Sequence, residues 1–187
     1  MNNGDFYGDK RKRWDAYFYN ICCAVASKSP CLSVQRGAVL VKDKSVIATG
    51  YNGPARGIPH CGHPRYFKDE NLASLVREKI GPDFHPTEVQ KTCPRHLLGY
   101  LSGEGLEICI ATHAEANCIA NAARVGVCTY GSTLYLNCET PCKDCFSLLI
   151  NAGVKEIVVM NLKHYDSTSF FIKENSKIKV RQFDLGG

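Results

Sequence analysis

No apolar segment of this chain is long enough for a membrane span, and no repeat or low-complexity tract interrupts its 187 residues. A strong charge of either sign is also missing: 23 Lys and Arg against 18 Asp and Glu leave a formal net charge of +5. That mild surplus suits a phosphate-bearing small ligand. It does not demand a nucleic-acid groove, where clustering counts for more than the sum. With 22% charged and 44% hydrophobic residues, the composition is globular and excludes a disordered chain. Residues 1–13 are polar and charged with no signal-peptide core, so an intracellular, cytoplasmic protein is expected. The 11 cysteines are odd in number and too few for a disulfide scaffold. In a reducing compartment, metal binding is the better explanation for those that are suitably spaced.

Periodicity predicts a first helix from Trp14 to about Ser29, with Trp14, Tyr17, Ile21 and Val25 on one face. Strands are expected at Gly37–Val41 and Ser45–Gly50, joined by the turn Lys42-Asp43-Lys44. An Ala-rich helix runs from His113 to about Arg124 and is closed by Gly126. Strand Thr133–Asn137, helix Pro141–Ala152, strand Lys155–Met160 and a last strand Lys177–Arg181 complete the order. That order implies an α/β fold, a partly parallel sheet covered by helices. Between Gly53 and His113 lie 59 residues, far beyond the roughly 12–15 of an unstructured loop. We read one domain over residues 1–187 with an insertion at about 54–112. The insertion has a predicted helix at Asp69–Ile80, with Leu72, Leu75, Val76 and Ile80 facing one way. Thin in apolar residues, it needs a staple, and Cys61, Cys93, Cys109, His60, His63, His85 and His96 could supply one.

The strongest signal is His113-Ala114-Glu115 followed later by Pro141-Cys142-Lys143-Asp144-Cys145. Thr140 as N-cap and Pro141 as first helical residue would put Cys142 and Cys145 on one face of a first turn. Thr112 would cap the helix that His113 opens. Helix N-termini favour thiolates, the form that binds metal. One histidine and two thiolates make a three-ligand zinc set with a fourth position left for water, the catalytic arrangement. Zinc brings the pKa of that water towards ~7. Glu115 points to a different side and can take and deliver a proton. A Cys-x-x-Cys by itself reads equally well as two buried small residues. Joined to His-x-Glu, it becomes the signature of zinc nucleobase deaminases.

With these motifs, and with Ser33 to Val41, Gly50-Tyr51-Asn52-Gly53, Cys93-Pro94-Arg95 and Ala116-Asn117, the chain resembles the cytidine deaminase superfamily. The similarity is closest to the deoxycytidylate (dCMP) deaminases of bacteria and phages, and it runs from about Trp14 to Asp166. The resemblance implies a three-layer α/β/α fold with a five-stranded mixed sheet. It implies a zinc-dependent hydrolase that turns dCMP into dUMP and ammonia by zinc-bound hydroxide, with Glu115 as catalytic proton carrier and His113, Cys142 and Cys145 as ligands. Asn52 is implied on the sugar, its alternative being a turn residue before Gly53, and Tyr165 is implied stacked on the pyrimidine. The 5′-phosphate has Ser33, Gln35, Arg36 and Arg124 as candidates, and Arg124 is equally explained by the helix dipole.

The same resemblance implies activation by dCTP and inhibition by dTTP. These effectors would bind with Mg²⁺ on a loop of Gly50, Tyr51, Gly53, Arg56 and Gly57, which is otherwise a glycine-rich turn. A second, structural zinc would use Cys31, Cys61, Cys93 and Cys109, with His60 or His96 as substitutes; four thiolates close a tetrahedron. Cys22, Cys23, Cys118, Cys128 and Cys138 have no ligand partners. Homo-oligomers, often hexamers, are implied, in the host cytoplasm if the source is viral, with no membrane or nucleic-acid partner. Three rival readings stand beside this one. The first is a deaminase that also accepts dCTP. The second is a polynucleotide cytosine or adenosine deaminase, which wants a basic, aromatic-lined channel; Lys10-Arg11-Lys12-Arg13 is the only dense basic run. The third is a non-catalytic zinc-stabilised nucleotide sensor, against which Glu115 argues.

Overall fold

The computed structural model describes residues 10–81, 86–101 and 103–185. His85 lies outside the described residues. In chain order the elements are α1 (Lys10–Ala26), β1 (Gly37–Lys42), β2 (Ser45–Tyr51), α2 (His63–Tyr66), α3 (Glu70–Ile80), α4 (Pro86–Lys91), α5 (Pro94–Leu97), α6 (Ala114–Arg124), β3 (Thr133–Leu136), α7 (Lys143–Asn151), β4 (Glu156–Val159), α8 (Ser167–Glu174) and β5 (Lys179–Gln182). They fall into two compact units. One takes the chain up to Lys28, Arg36–Tyr51 and everything from His113 on; the other takes Ser29–Gln35 and Asn52–Thr112.

The first unit is a five-stranded sheet in the order β2-β1-β3-β4-β5. β2, β1 and β3 are antiparallel neighbours, and β3, β4 and β5 are parallel, so the expected mixed sheet is present. Period-two alternation sends successive side chains to opposite faces. Ala38, Leu40, Leu134, Leu136, Ile157 and Val159 join Ala114, Cys118, Ala122, Phe146 and Leu149 of α6 and α7 in one cluster. Val39, Val41, Tyr135 and Val158 meet Phe18 and Cys22 of α1 on the other face. The three central strands are thus buried on both sides, which is why they read as unbroken apolar runs. At the β1–β2 hairpin Asp43 and Lys44 both take left-handed φ, 49° and 62°. That pair of values is the two-residue turn whose twist matches the strands it joins.

α1 starts earlier than expected, and only half of the expected face turns inward, Ile21 and Val25 packing against the cluster around Phe18 and Cys22. Asp15, Phe18, Cys22 and Ala26 are buried, while Trp14 and Tyr17 lie on the exposed side. Asp15 can be buried because it accepts two hydrogen bonds from Arg181 of β5, at 2.6 and 2.9 Å, and one from the amide of Asp184 at 2.8 Å. Arg181 also donates to Glu156 at 3.1 Å. The sequence reading did not include α8. Its start is fixed by Asp166, whose side chain accepts from the Ser169 amide at 2.6 Å while Ser169 Oγ receives the Asp166 amide at 3.1 Å. A serine at that third position is a weaker sequence cue than the usual Glu or Gln.

The second unit has a smaller apolar cluster of Tyr66, Leu72, Ala73, Val76 and Val89. Leu75 and Ile80, expected on that face, are exposed. Two buried arginines supply much of the remaining cohesion. Arg65 donates to Asp69 at 2.9 Å and to the Ile108 carbonyl at 2.7 Å, and Arg95 to the carbonyls of Glu104 and Leu101. Asp69 caps α3 by accepting from the Leu72 amide at 3.0 Å. Gly53 and Thr112 exchange both backbone hydrogen bonds, at 3.0 and 2.8 Å, and so close the neck of the insertion. No described helix is long and apolar enough to cross a membrane.

Candidate active site

His113 and Cys142 are the N-caps of α6 and α7, both with extended backbone (ψ 156° and 167°) and neither with a side-chain cap bond to its helix. The helix that was expected to begin at Pro141 begins instead at Lys143. The hydroxyl of Thr140, read as its cap, donates to the carbonyl of Lys163 at 2.7 Å. Thr112, read as the cap of α6, spends its backbone on Gly53. Capping by backbone alone leaves the imidazole and the thiol to turn toward each other. His113 Nδ1 lies 3.5 Å from Sγ of Cys142 and 3.5 Å from Sγ of Cys145. Ligands at ordinary Zn–N and Zn–S lengths on one tetrahedral ion stand about 3.6 Å apart, so this set has the span zinc needs. Among the described residues it is the one group of three His, Cys, Asp or Glu whose ligand atoms all lie within 4.8 Å of one another.

Local electrostatics agree with that use. Hydrogen bonding from Cys145 holds the Cys142 thiol down to about 4, against burial and with help from His113. Cys145 is pushed up by sharing that proton and by burial. Two thiols this close cannot both ionise without a cation between them. The Cys142 contact raises the pKa of His113 against its own burial. Glu115 is buried, 6% exposed, and desolvation raises its pKa; His113 and Arg36 act in the opposite sense. A carboxyl that resists ionisation beside a cationic centre is suited to giving and taking protons.

The N-terminal end of α6 is held in place by close contact with β2. A Cβ at Gly50 would lie 2.3 Å from the Cys118 amide nitrogen and 2.4 Å from the Ala114 carbonyl, so only glycine lets the helix reach the strand. Asn117 donates to the Tyr51 carbonyl and Asn121 to the Thr49 carbonyl, each at 2.8 Å. The sequence reading assigned neither asparagine a role. Their cue was spacing, four residues apart on one face of a helix.

The other expected residues are dispersed. Arg36 belongs to the sheet unit, where its charge is felt by Glu115 and Cys138. Arg124 closes α6, about 16 Å along the helix from His113. Tyr165 is 49% exposed in the segment between β4 and α8. Asn52 and Ser33 lie in the other unit. The Asn52 amide accepts from Ser29 Oγ at 2.8 Å and donates to the Val34 carbonyl at 2.8 Å, and Ser33 Oγ is 3.2 Å from His96 Nε2. In the same unit Gly57 has φ +81° with open space where a Cβ would stand. Cys31, Cys61, Cys93, Cys109 and His60 are there too. Burial raises the Cys61 thiol, Arg65 opposes that, and Cys93 and Cys109 are close enough to raise it further. Among the described residues these sulfurs do not converge as the first set does.

Residues 12–161 match the model of the cytidine and deoxycytidylate deaminase zinc-binding region. The chain belongs to that family. It is 31% identical to a deoxycytidylate deaminase of Saccharomyces cerevisiae over 94% of this chain and 46% of that protein. It is 33% identical to a deoxycytidylate deaminase of Mycobacterium phage D29 over 79% of this chain and 94% of the phage protein. The chain spans about half the length of the two yeast relatives it matches, 46% and 45%. Its fold is similar to that of the dCMP deaminase of cyanophage S-TIM5, with a TM-score of 0.59 at 19% identity over 91% of this chain and 97% of that one. The His-Cys-Cys set of this deaminase-family chain supports zinc as its metal.

Proposed function

We propose that this chain hydrolyses dCMP to dUMP and ammonia at the site formed by His113, Glu115, Cys142 and Cys145. The observation that carries the reading is the convergence of His113 Nδ1 on two cysteine sulfurs beside a buried carboxyl. The phage relative of matching length bears the same activity in its name. His113, Cys142 and Cys145 would hold zinc. When bound, zinc supplies a water that ionises near neutral pH. Glu115 would take a proton from that water and give it to N3 of the cytosine as the remaining hydroxyl bonds to C4, then take that hydroxyl's proton and give it to the amino group, so that the C4–N bond breaks, C4 becomes a carbonyl and ammonia leaves. Water and dCMP thereby balance dUMP and ammonia. Asn52 is proposed to bind the sugar, and Tyr165 to cover the pyrimidine. Ser33, Arg36 and Arg124 are the proposed phosphate contacts. Arg124 would reach a substrate at the other end of α6 in an assembly of subunits.

The reading extends to regulation by dCTP and dTTP with Mg²⁺ at Gly50, Tyr51, Gly53, Arg56 and Gly57. It also includes a second zinc in the insertion, a homo-oligomer, and a place in the cytoplasm. Ammonia release from dCMP, dCTP, deoxycytidine and a cytosine-containing oligonucleotide, each with and without added dCTP or dTTP, tests it. Turnover confined to dCMP and altered by the triphosphates is expected. Turnover of the oligonucleotide alone would keep the hydrolytic chemistry and overturn the nucleotide substrate.

A further inference from the structure

We propose that Thr140 is a positioning residue: its hydroxyl clamps the middle of the segment between β4 and α8 to the turn that carries Cys142. Thr140 is 3% exposed, and its Oγ1 donates to the Lys163 carbonyl at 2.7 Å. The segment is secured at both ends by other means. The Met160 amide donates to the Cys138 carbonyl at 2.8 Å, and Asp166 is locked into the capping box of α8. In its middle the ring of His164 lies edge-on to Phe170 at 4.6 Å, while Leu162 is 44% exposed and Tyr165 49%. The Lys163 amide is tied only locally, to Asn161 Oδ1 at 3.0 Å. His164 adds a reason for the segment to open: its Nδ1 is buried with no hydrogen-bond partner among the described residues, a cost that exposure to water would remove. A bond that holds the neighbouring carbonyl opposes that opening.

Two positions separate Thr140 from a metal ligand, and two separate Lys163 from Tyr165. The clamp therefore fixes the aromatic proposed to cover the base relative to the centre that acts on it. This part of the inference rests on the deaminase reading. Thr140 touches no reacting atom in this scheme; it acts through Tyr165, and its loss is expected in substrate affinity ahead of the chemical step.

Trypsin cuts after lysine, so the clamped carbonyl belongs to a bond that reports on the clamp directly, whatever the enzyme's activity. In limited digestion, Thr140→Val is expected to speed cleavage at Lys163–His164 about tenfold, the loss of one buried hydroxyl bond, while Thr140→Ser cleaves like the parent. On dCMP, Thr140→Val is expected to raise KM about tenfold with kcat and zinc content unchanged, and to add nothing in a Tyr165→Ala background. Equal cleavage of the valine variant and the parent overturns the clamp. Faster cleavage with unchanged KM, or additive losses in the double variant, overturns the positioning role. If Thr140→Val does not fold, Thr140→Ala takes its place in both assays. A parent protein that leaves dCMP untouched sinks the deaminase reading, and digestion still decides the clamp.

Discussion

Among the described residues, the sheet unit gathers twelve buried residues on one face of its sheet and seven on the other, while the insertion unit gathers five. In place of apolar area the insertion uses guanidinium groups. Arg65 and Arg95 are only 8% and 9% exposed, and both donate to backbone carbonyls, Arg65 to Ile108 and Arg95 to Glu104 and Leu101. A greasy core is tolerant, since most shapes of similar volume pack into it. A buried arginine is not, because each of its donors must be met or a desolvation cost remains. The two halves teach that chemistry and cohesion can be assigned to different parts of one chain. The sheet is over-determined and can carry a buried acid such as Glu115, whereas the insertion depends on polar fastenings and has more to gain from a metal.

The comparison can be broken at four places. Glu115→Ala is expected to cut turnover by about 10²–10⁴-fold with zinc retained, because it removes a proton carrier and leaves the ligands in place. Turnover near the parent's value, measured alongside metal content, would mean that the sheet unit carries no acid catalyst. Core truncation comes next. Phe146→Ala, at a fully buried position of the large cluster, should cost about 3–5 kcal/mol in urea unfolding. Leu72→Ala in the small cluster should cost about 2–3 kcal/mol, the low end for such a change, because a small core near the surface collapses more readily. Equal costs would erase the distinction drawn between the units.

Cys93→Ser is expected to lower the metal content by about one ion per chain and to loosen the insertion while leaving the His113 site loaded. An unchanged metal count by elemental analysis removes Cys93 from any second site. The smallest effect is set by pH. The amide of Leu72, against burial and with help from the guanidinium of Arg65, holds the Asp69 carboxyl below its usual range. Its folded value is the lower one, so its contribution is complete above the ordinary carboxylate range and disappears as pH falls through the folded value. Asp69→Ala should cost about 1 kcal/mol at pH 7 and less once the carboxyl is protonated in both states, since only the acceptor of the Leu72 amide is then lost. Chemical unfolding at the two pH values decides it.

What could be read from the sequence was what depends on neighbours along the chain. The apolar runs Ala38–Val41 and Leu134–Leu136 are local, and so is the His-x-Glu with Cys-x-x-Cys pattern; both are found in the fold. What escaped depends on distant partners. The buried face of α1 contains Asp15, an unlikely inward residue until Arg181, 166 positions on, is seen to pair with it. Thr140 carried every local mark of a helix cap, yet its hydroxyl belongs to a carbonyl 23 residues away. α8 hid because Phe170 and Phe171 are exposed and its box closes through serine. The phosphate contacts could not be ranked either, since neither spacing nor periodicity says which cation faces a ligand.

The closed neck at Gly53 and Thr112 bears on how this architecture tolerates change in length. Chain that leaves β2 returns to the same point before α6 begins, so to the sheet the whole excursion behaves as a short connection. The entropy of closing such a ring grows only with the logarithm of its length. Residues added or removed beyond the neck therefore leave the ends of the ring where they were, and the spacing between β2 and His113 does not register them. The insertion is in this sense a cassette, exchangeable for a longer or shorter one without re-aiming His113.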